Sequence, residues 1–228
     1  MILGIHERST GNPRRSLIVG WGDQYGSCYG DEGGAVNDFG NSRRGEGGKP
    51  GPAVHRTVLV VDVAGFGAFD RTNPHRIVVR DGLYRALEAS LAGVGVVFAD
   101  CHHEVVGDGV LVLIPPDVAK TVVVQRLPDA LAAELREHNE RNDHGAQIRL
   151  RMAVHAGEVQ YDNYGVVGVA VNFAHRLINS PALRKALAES NGTLALITSE
   201  WFFNEVVRHS PESDPASYRQ IRVVEKET

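Results

Sequence analysis

From residue 54 onward the chain alternates short apolar runs with longer stretches in which apolar residues recur every three or four positions, and Gly, Pro, Asn and Asp separate the two kinds. "RTVLVVDVAGFGAFD" predicts a β-branched strand over 57–61 that ends on Asp62, after which Gly65 and Gly67 lead into a helix. "NPHRIVVRDGLYRALEASLAG" carries Ile77, Leu83, Leu87 and Leu91 at helical spacing and stops at Gly93. "GVVFADCHHEVVGDGVLVLIP" reads as strand, turn and strand, a hairpin folded about Gly107, Asp108 and Gly109. The stretch from Pro115 to Asp143 is helical with an interruption at Pro128. "IRLRMAVHAGEVQ" alternates as a strand, with Leu150, Met152 and Val154 on one face and Arg149, Arg151 and Ala153 on the other. "VGVAVNFAHRLINSPALRKALAES" is a single helix, "TLALITS" a strand, "EWFFNEVVRH" a helix and "SYRQIRVVEKET" a last strand. The order βαββαβ followed by αβαβ predicts an α+β fold: a ferredoxin-like core with a C-terminal extension, its antiparallel sheet covered by helices on one face.

Residues 1–54 lack this pattern. Of the 25 glycines, 13 fall within residues 1–51, mixed with Arg, Asn, Asp and Ser, so this segment is expected to be disordered, apart from a possible short strand in "LIVG". The domain boundary is placed there, with residues 55–228 forming one catalytic-sized domain. The chain has 228 residues, 43% hydrophobic and 23% charged, enough to bury a sizeable core. A formal net charge of −4 and no block of Lys/Arg give no reason to expect a nucleic-acid or membrane surface, so any anionic ligand must be held locally. Cys28 and Cys101 have no close Cys or His in zinc-finger spacing, which fits a reducing cytoplasm. Cys101, His102 and His103 alternate across a strand, which argues against a shared zinc ion. No apolar stretch is long enough to span a membrane, and no signal-peptide pattern opens the chain.

Three features carry chemistry. Asp62 at a strand end and Asp108 in the hairpin turn can meet at one edge if the first and third strands lie side by side, and two carboxylates at one point suit Mg²⁺ or Mn²⁺ whose remaining positions go to phosphate oxygens. Taken alone, Gly-Asp-Gly is also ordinary turn chemistry. The segment Gly65, Phe66, Gly67 offers backbone N–H groups at a helix start, where phosphate is favoured. Asn172 and Arg176 are four residues apart on a helix and share a face, an arrangement that suits one ligand and also occurs on any solvated helix.

Together, "VVDVAGF", "VVGDGVLVLIP", "RMAVHAGEV" and "VGVAVNFAHRL" resemble the class III nucleotidyl cyclases, the adenylate and guanylate cyclase family, over residues 56 to about 226. The resemblance implies that Asp62 and Asp108 hold two divalent ions, that Asn172 orients the ribose, and that Arg176 meets the α-phosphate. It also implies a homodimer in which each site takes the aspartates from one protomer and the Asn/Arg pair from the other. The reaction implied is attack of the 3′-hydroxyl on the α-phosphorus with loss of pyrophosphate.

The chain departs from the adenylate cyclase pattern at two positions. Six residues before Asp108, where a purine-reading Lys is expected, stands His102, and seven before Asn172, where a purine-reading Asp is expected, stands Gly165. Asp162 or Asn163 could substitute for the missing Asp, and His102 could equally be a strand histidine with a structural partner. The family includes bacterial pyrimidine cyclases of antiphage systems, which make cyclic UMP or cyclic CMP, and the absent purine readers point toward UTP or CTP. Lys226, with Arg222 behind it, is the candidate for the terminal phosphates, against a solvated chain end. His155 reads as structural. A non-catalytic nucleotide-binding module with the same fold remains the alternative.

Overall fold

The apolar run at 57–61 becomes the middle of strand β3 (Val54–Val63), in which Thr57, Val58, Leu59, Val60 and Val61 are all buried. A strand with no polar side is covered on both faces. The computed structural model describes residues 2–6, 16–20 and 51–221. Around β3 lie β5 (Gly109–Ile114) and β6 (Leu150–Tyr161), both antiparallel to it, and β4 (His102–Val106) closes one edge by pairing with β5. On the other side, β8 (Leu194–Ser199) runs parallel to β6. Next come β2 (Ser16–Gly20), β9 (Tyr218–Gln220) and β1 (Ile2–His6), while the short β7 (Val166–Val167) pairs only with β6. Two stretches of the Gly-rich N-terminal segment are therefore strands of the sheet. The rest of that segment, and Arg222 and Lys226, lie outside the described residues.

The α+β class holds, with a mainly antiparallel sheet flanked by helices, but the helices occupy both faces. On one face α1 (Asn73–Gly93) and α3 (Leu127–Arg141), led by the short α2 (Val122–Gln125), pack Val79, Leu83, Leu87, Leu91, Leu131 and Leu135 on Leu59, Val61, Val112 and Met152. On the other, α4 (Val169–Ile178) and α5 (Pro181–Glu189) pack Ala170, Ala174, Leu177 and Leu187 on Val58, Val60, Leu111, Leu113 and Ala153. The expectation of one covered face is corrected for a physical reason: β5 and the Val58–Val61 centre of β3 are apolar at every position, so helices on one side alone would leave half of each run in water. Burying each Val or Leu there stabilises by about 1.5–3 kcal/mol.

Local signals set the helix ends. Thr72 caps α1 by accepting from the His75 N–H, and Pro74 sits in the first turn. Ile77, expected on the core face of α1, is exposed, and Val79 takes that place. The expected interruption at Pro128 falls at Arg126, between α2 and α3, and Pro128 lies in the first turn of α3. The helix expected to run through 167–190 is two helices, because Ser180 caps a new start at Pro181. After β8, the three-residue α6 (Glu200–Phe202) continues into a wide helical turn, Phe203–Val207.

Candidate active site

The register of β3 against β5 sets Asp62 opposite Gly109, and the Val63 N–H donates to the Asp108 carbonyl at 3.3 Å, so the two aspartates stand at one end of the same strand pair. Gly107, at φ 58°, makes the reversal that puts Asp108 in the exposed turn. A Cβ on Gly109 would lie 2.0 Å from the Val61 carbonyl oxygen, so only glycine lets the hairpin approach β3 this closely. Both glycines serve the backbone, and the carboxylate between them has no turn-capping bond among the described residues.

Asp62 is half-buried and pairs with Arg151 across β6, where the two are directly opposite. Burial raises the Asp62 pKa above the usual carboxylate value; Arg151 opposes the rise, the nearby Asp108 charge adds to it, and Arg184 of α5 pulls weakly against it. Arg151 is itself largely buried, and its Nε and Nη1 have no hydrogen-bond partner among the described residues. Neither sequence pattern nor family resemblance singled out Arg151; the one signal was a charged residue on the strand face it shares with Ala153. Among the described residues no group of three or more His, Cys, Asp or Glu could hold a metal ion. Two neighbouring carboxylates fit an ion that keeps waters and phosphate oxygens in its shell, and do not fit a full protein cage.

Residues Gly65, Phe66 and Gly67 form a turn beyond Asp62 and not the start of a helix, since α1 begins at Asn73. The expected helix N-terminus is corrected: Thr72 and Pro74 supply the start signals, and the glycines supply none. Arg76 ties the turn back by donating to the Phe66 carbonyl at 3.4 Å and the Ala68 carbonyl at 3.2 Å. The N–H groups of residues 65–67 donate to no backbone carbonyl among the described residues, so they remain open beside the aspartates.

A second cluster forms on the edge strand β4. His102 Nε2 lies 2.8 Å from Glu104 Oε1, and the His102 ring meets Tyr161 edge-on at 5.1 Å. Gly165, at φ 151°, backs onto the same carboxylate: a Cβ there would lie 2.4 Å from Glu104 Oε1. His102 and Gly165 are thus brought together, and the group between them is Glu104, which the sequence reading passed over although it shares the β4 face with His102 two residues on. Asp162, the suggested substitute, is engaged by the Tyr164 and Gly165 N–H groups at 2.7 and 2.9 Å.

Asn172 and Arg176 are both exposed on α4, and His175 beside them is half-buried. Burial lowers the His175 pKa, and the Glu104 charge opposes that shift, which sets this edge of α4 near β4. His155 is 4% exposed, bonds Ser199 Oγ through Nδ1 at 2.7 Å, and has its pKa lowered to about 4, by burial first and by His55 second. Burial and two nearby acids raise the Cys101 thiol to about 11, which keeps it protonated. No helix among the described residues is long and apolar enough to cross a membrane.

No family model matches the chain, and no curated protein matches it. Solved structures do. The guanylyl cyclase Cya2 is similar at 19% identity with a TM-score of 0.46, over 61% of this chain and 81% of that one. An adenylate/guanylate cyclase/hydrolase from Silicibacter pomeroyi is similar at 19% identity and a TM-score of 0.47, over 67% and 80%. The monomeric guanylyl cyclase domain of the RhoGC fusion protein from Blastocladiella emersonii is similar at 18% identity and a TM-score of 0.47, over 69% and 87%. These are distant likenesses of fold.

Proposed function

We propose that the chain cyclises a nucleoside triphosphate to a 3′,5′-cyclic nucleotide and pyrophosphate, with Mg²⁺ or Mn²⁺ held by Asp62 and Asp108. The observation that carries this reading is the β3–β5 register, which sets a half-buried and an exposed carboxylate side by side next to a turn with open N–H groups. Ions bound there would neutralise phosphate charge and acidify the 3′-hydroxyl. Once Asp62 turns to a cation, the Arg151 guanidinium is free to hold a phosphate oxygen through its unpartnered N–H groups. The N–H groups of Gly65, Phe66 and Gly67 receive further phosphate oxygens. Asn172 orients the ribose, and Arg176 stabilises charge on the α-phosphate as the 3′-oxygen bonds to phosphorus and the bond to pyrophosphate breaks. The hydroxyl proton leaves to solvent. The family resemblance supports a two-fold dimer in which each site takes Asp62 and Asp108 from one copy and Asn172 and Arg176 from the other.

Glu104 bears on the base. An ionised carboxylate only accepts hydrogen bonds, so it favours guanine with two adjacent N–H donors, then cytosine and adenine with one amino group, and last uracil, whose single N–H is flanked by carbonyls. This reading puts GTP first. The absence of a side chain at Gly165 supports the second reading, a pyrimidine triphosphate cyclised to cyclic CMP or cyclic UMP as a messenger in antiphage defence. Pyrophosphate release from each of the four triphosphates with Mn²⁺ tests both. Turnover led by GTP is expected, and turnover led by UTP would exclude Glu104 as base reader. No release from any, with nucleotide still bound, would leave the non-catalytic module.

A further inference from the structure

The hydrogen bond between His102 and Glu104 has a defined polarity. A carboxylate has no proton to give, so His102 Nε2 carries the hydrogen and Glu104 Oε1 accepts it, at 2.8 Å. The imidazole is steadied in turn, its ring edge-on to Tyr161 at 5.1 Å, with the Arg56 guanidinium 6.0 Å over the same tyrosine. On the opposite side, Gly165 closes against the same oxygen, leaving too little room for a Cβ. Oε1 is therefore fenced from two directions, while Oε2 accepts no hydrogen bond from the described residues. Both side chains keep about a third of their surface open, 29% and 31%, so a ligand can reach the pair.

We infer that His102 is a positioning residue for base selection: by holding Oε1 of Glu104, it fixes which oxygen is presented to the base and in what direction. The inference rests on the nucleotide site proposed above. Glutamate has three side-chain torsions, and a carboxylate left free to turn loses rotamer entropy each time it binds. The His102 bond removes that freedom before the base arrives. The same bond commits the Nε2 donor of His102 to Glu104, so the role left to the imidazole is to hold that carboxylate.

Equilibrium binding of the α,β-methylene triphosphates of guanosine and uridine to the full-length protein provides the test, with Glu104→Gln, His102→Ala and His102→Gln beside the parent chain. The parent is expected to prefer the guanosine analogue by about tenfold or more, a difference of about 1.4 kcal/mol. Glu104→Gln and His102→Ala should bring the two affinities within about twofold by weakening the guanosine analogue alone. His102→Gln should restore the preference, since its amide N–H can donate to the same oxygen. A full preference in His102→Ala, an equal loss of both analogues in that variant, or no preference in the parent would overturn the inference. Selective binding by a protein that releases no pyrophosphate from cleavable triphosphates would sink the cyclase reading and keep the role of His102. Pyrophosphate release with an unchanged preference in His102→Ala would do the reverse, and failure of both analogues to bind would end both.

Discussion

Two carboxylate centres lie on this sheet and are built in opposite ways. Asp62 sits inside the sheet, opposite a largely buried arginine, and its position follows from the register of three strands. Glu104 sits on the edge strand with about a third of its side chain exposed, and its position follows from one histidine and one glycine. The difference teaches where function and stability are coupled. A charge that neutralises a buried partner cannot be removed without leaving that partner unpaired, whereas a charge at an open edge can. The first centre should therefore carry both fold and chemistry, and the second chemistry alone.

Removing each aspartate is the strongest way to break this comparison. Asp62→Ala and Asp108→Ala should each lower turnover by about 10³-fold or more, as expected when charge stabilisation at the reacting phosphate is lost. Their stabilities should differ. Asp62→Ala leaves Arg151 buried without a counter-charge and should cost about 3–5 kcal/mol, while Asp108→Ala, at an exposed turn, should stay within about 0.5 kcal/mol of the parent. Urea unfolding measures both, and equal midpoints for the two variants would show that Asp62 is not tied to the fold.

His155 offers a neutral counterpart on the same sheet face. Its folded pKa of about 4 lies below the ordinary imidazole value of 6.5, so the unfolded chain binds the proton more readily between those values. Its contribution to stability is complete above about pH 6.5 and is lost as pH falls toward 4. About 2 kcal/mol should disappear between pH 7 and pH 5, and His155→Gln should flatten that part of the profile. A parent midpoint that does not move over this range would contradict a buried neutral imidazole.

At the edge centre the expected effect is smaller and confined to binding. Glu104→Gln should raise KM for GTP by about tenfold with kcat within about threefold, the signature of an interaction made equally in ground and transition states. Its unfolding midpoint should not change. The smallest effect tests the shared site. Asp62→Ala and Arg176→Ala chains, each inactive, should recover roughly a quarter of parental turnover when mixed and exchanged, because about half of the dimers are mixed and hold one intact site of two. Asp62→Ala mixed with Asp108→Ala should recover nothing, since both lesions fall on the same half-site.

The chemistry legible in the sequence was the part encoded locally. "GDG" before an apolar run marks a hairpin whatever surrounds it, and Asn172 and Arg176 at four residues' spacing share a helix face whatever that helix packs on. The missed residues are those whose meaning depends on a distant partner. Arg151 reads as one more strand residue until β6 is set opposite β3, and Glu104 reads as the polar side of a hairpin until a glycine 61 positions later closes against it. The helix start assigned to Gly65–Gly67 failed for a related reason: glycines mark a turn without saying how far the next helix lies, and Thr72 and Pro74 decided that.

By itself, then, the sequence determined which segments avoid water and with what period, and so the class of fold, the hairpin that carries Asp108 and the face shared by Asn172 and Arg176. It also held the sign that both faces of the sheet are covered, in the unbroken apolar runs of β3 and β5, although the order of elements alone suggested one. Only the tertiary structure decided that α4 and α5 lie opposite α1 and α3, that Ile2–His6 and Ser16–Gly20 join the sheet beyond β8, and that Asp62 meets Arg151 while Glu104 meets His102 and Gly165. Hydrophobic period is a property of neighbours along the chain. Register and cross-strand partners are set by which strands end up adjacent, and a shift of one residue would turn every one of those side chains to the other face.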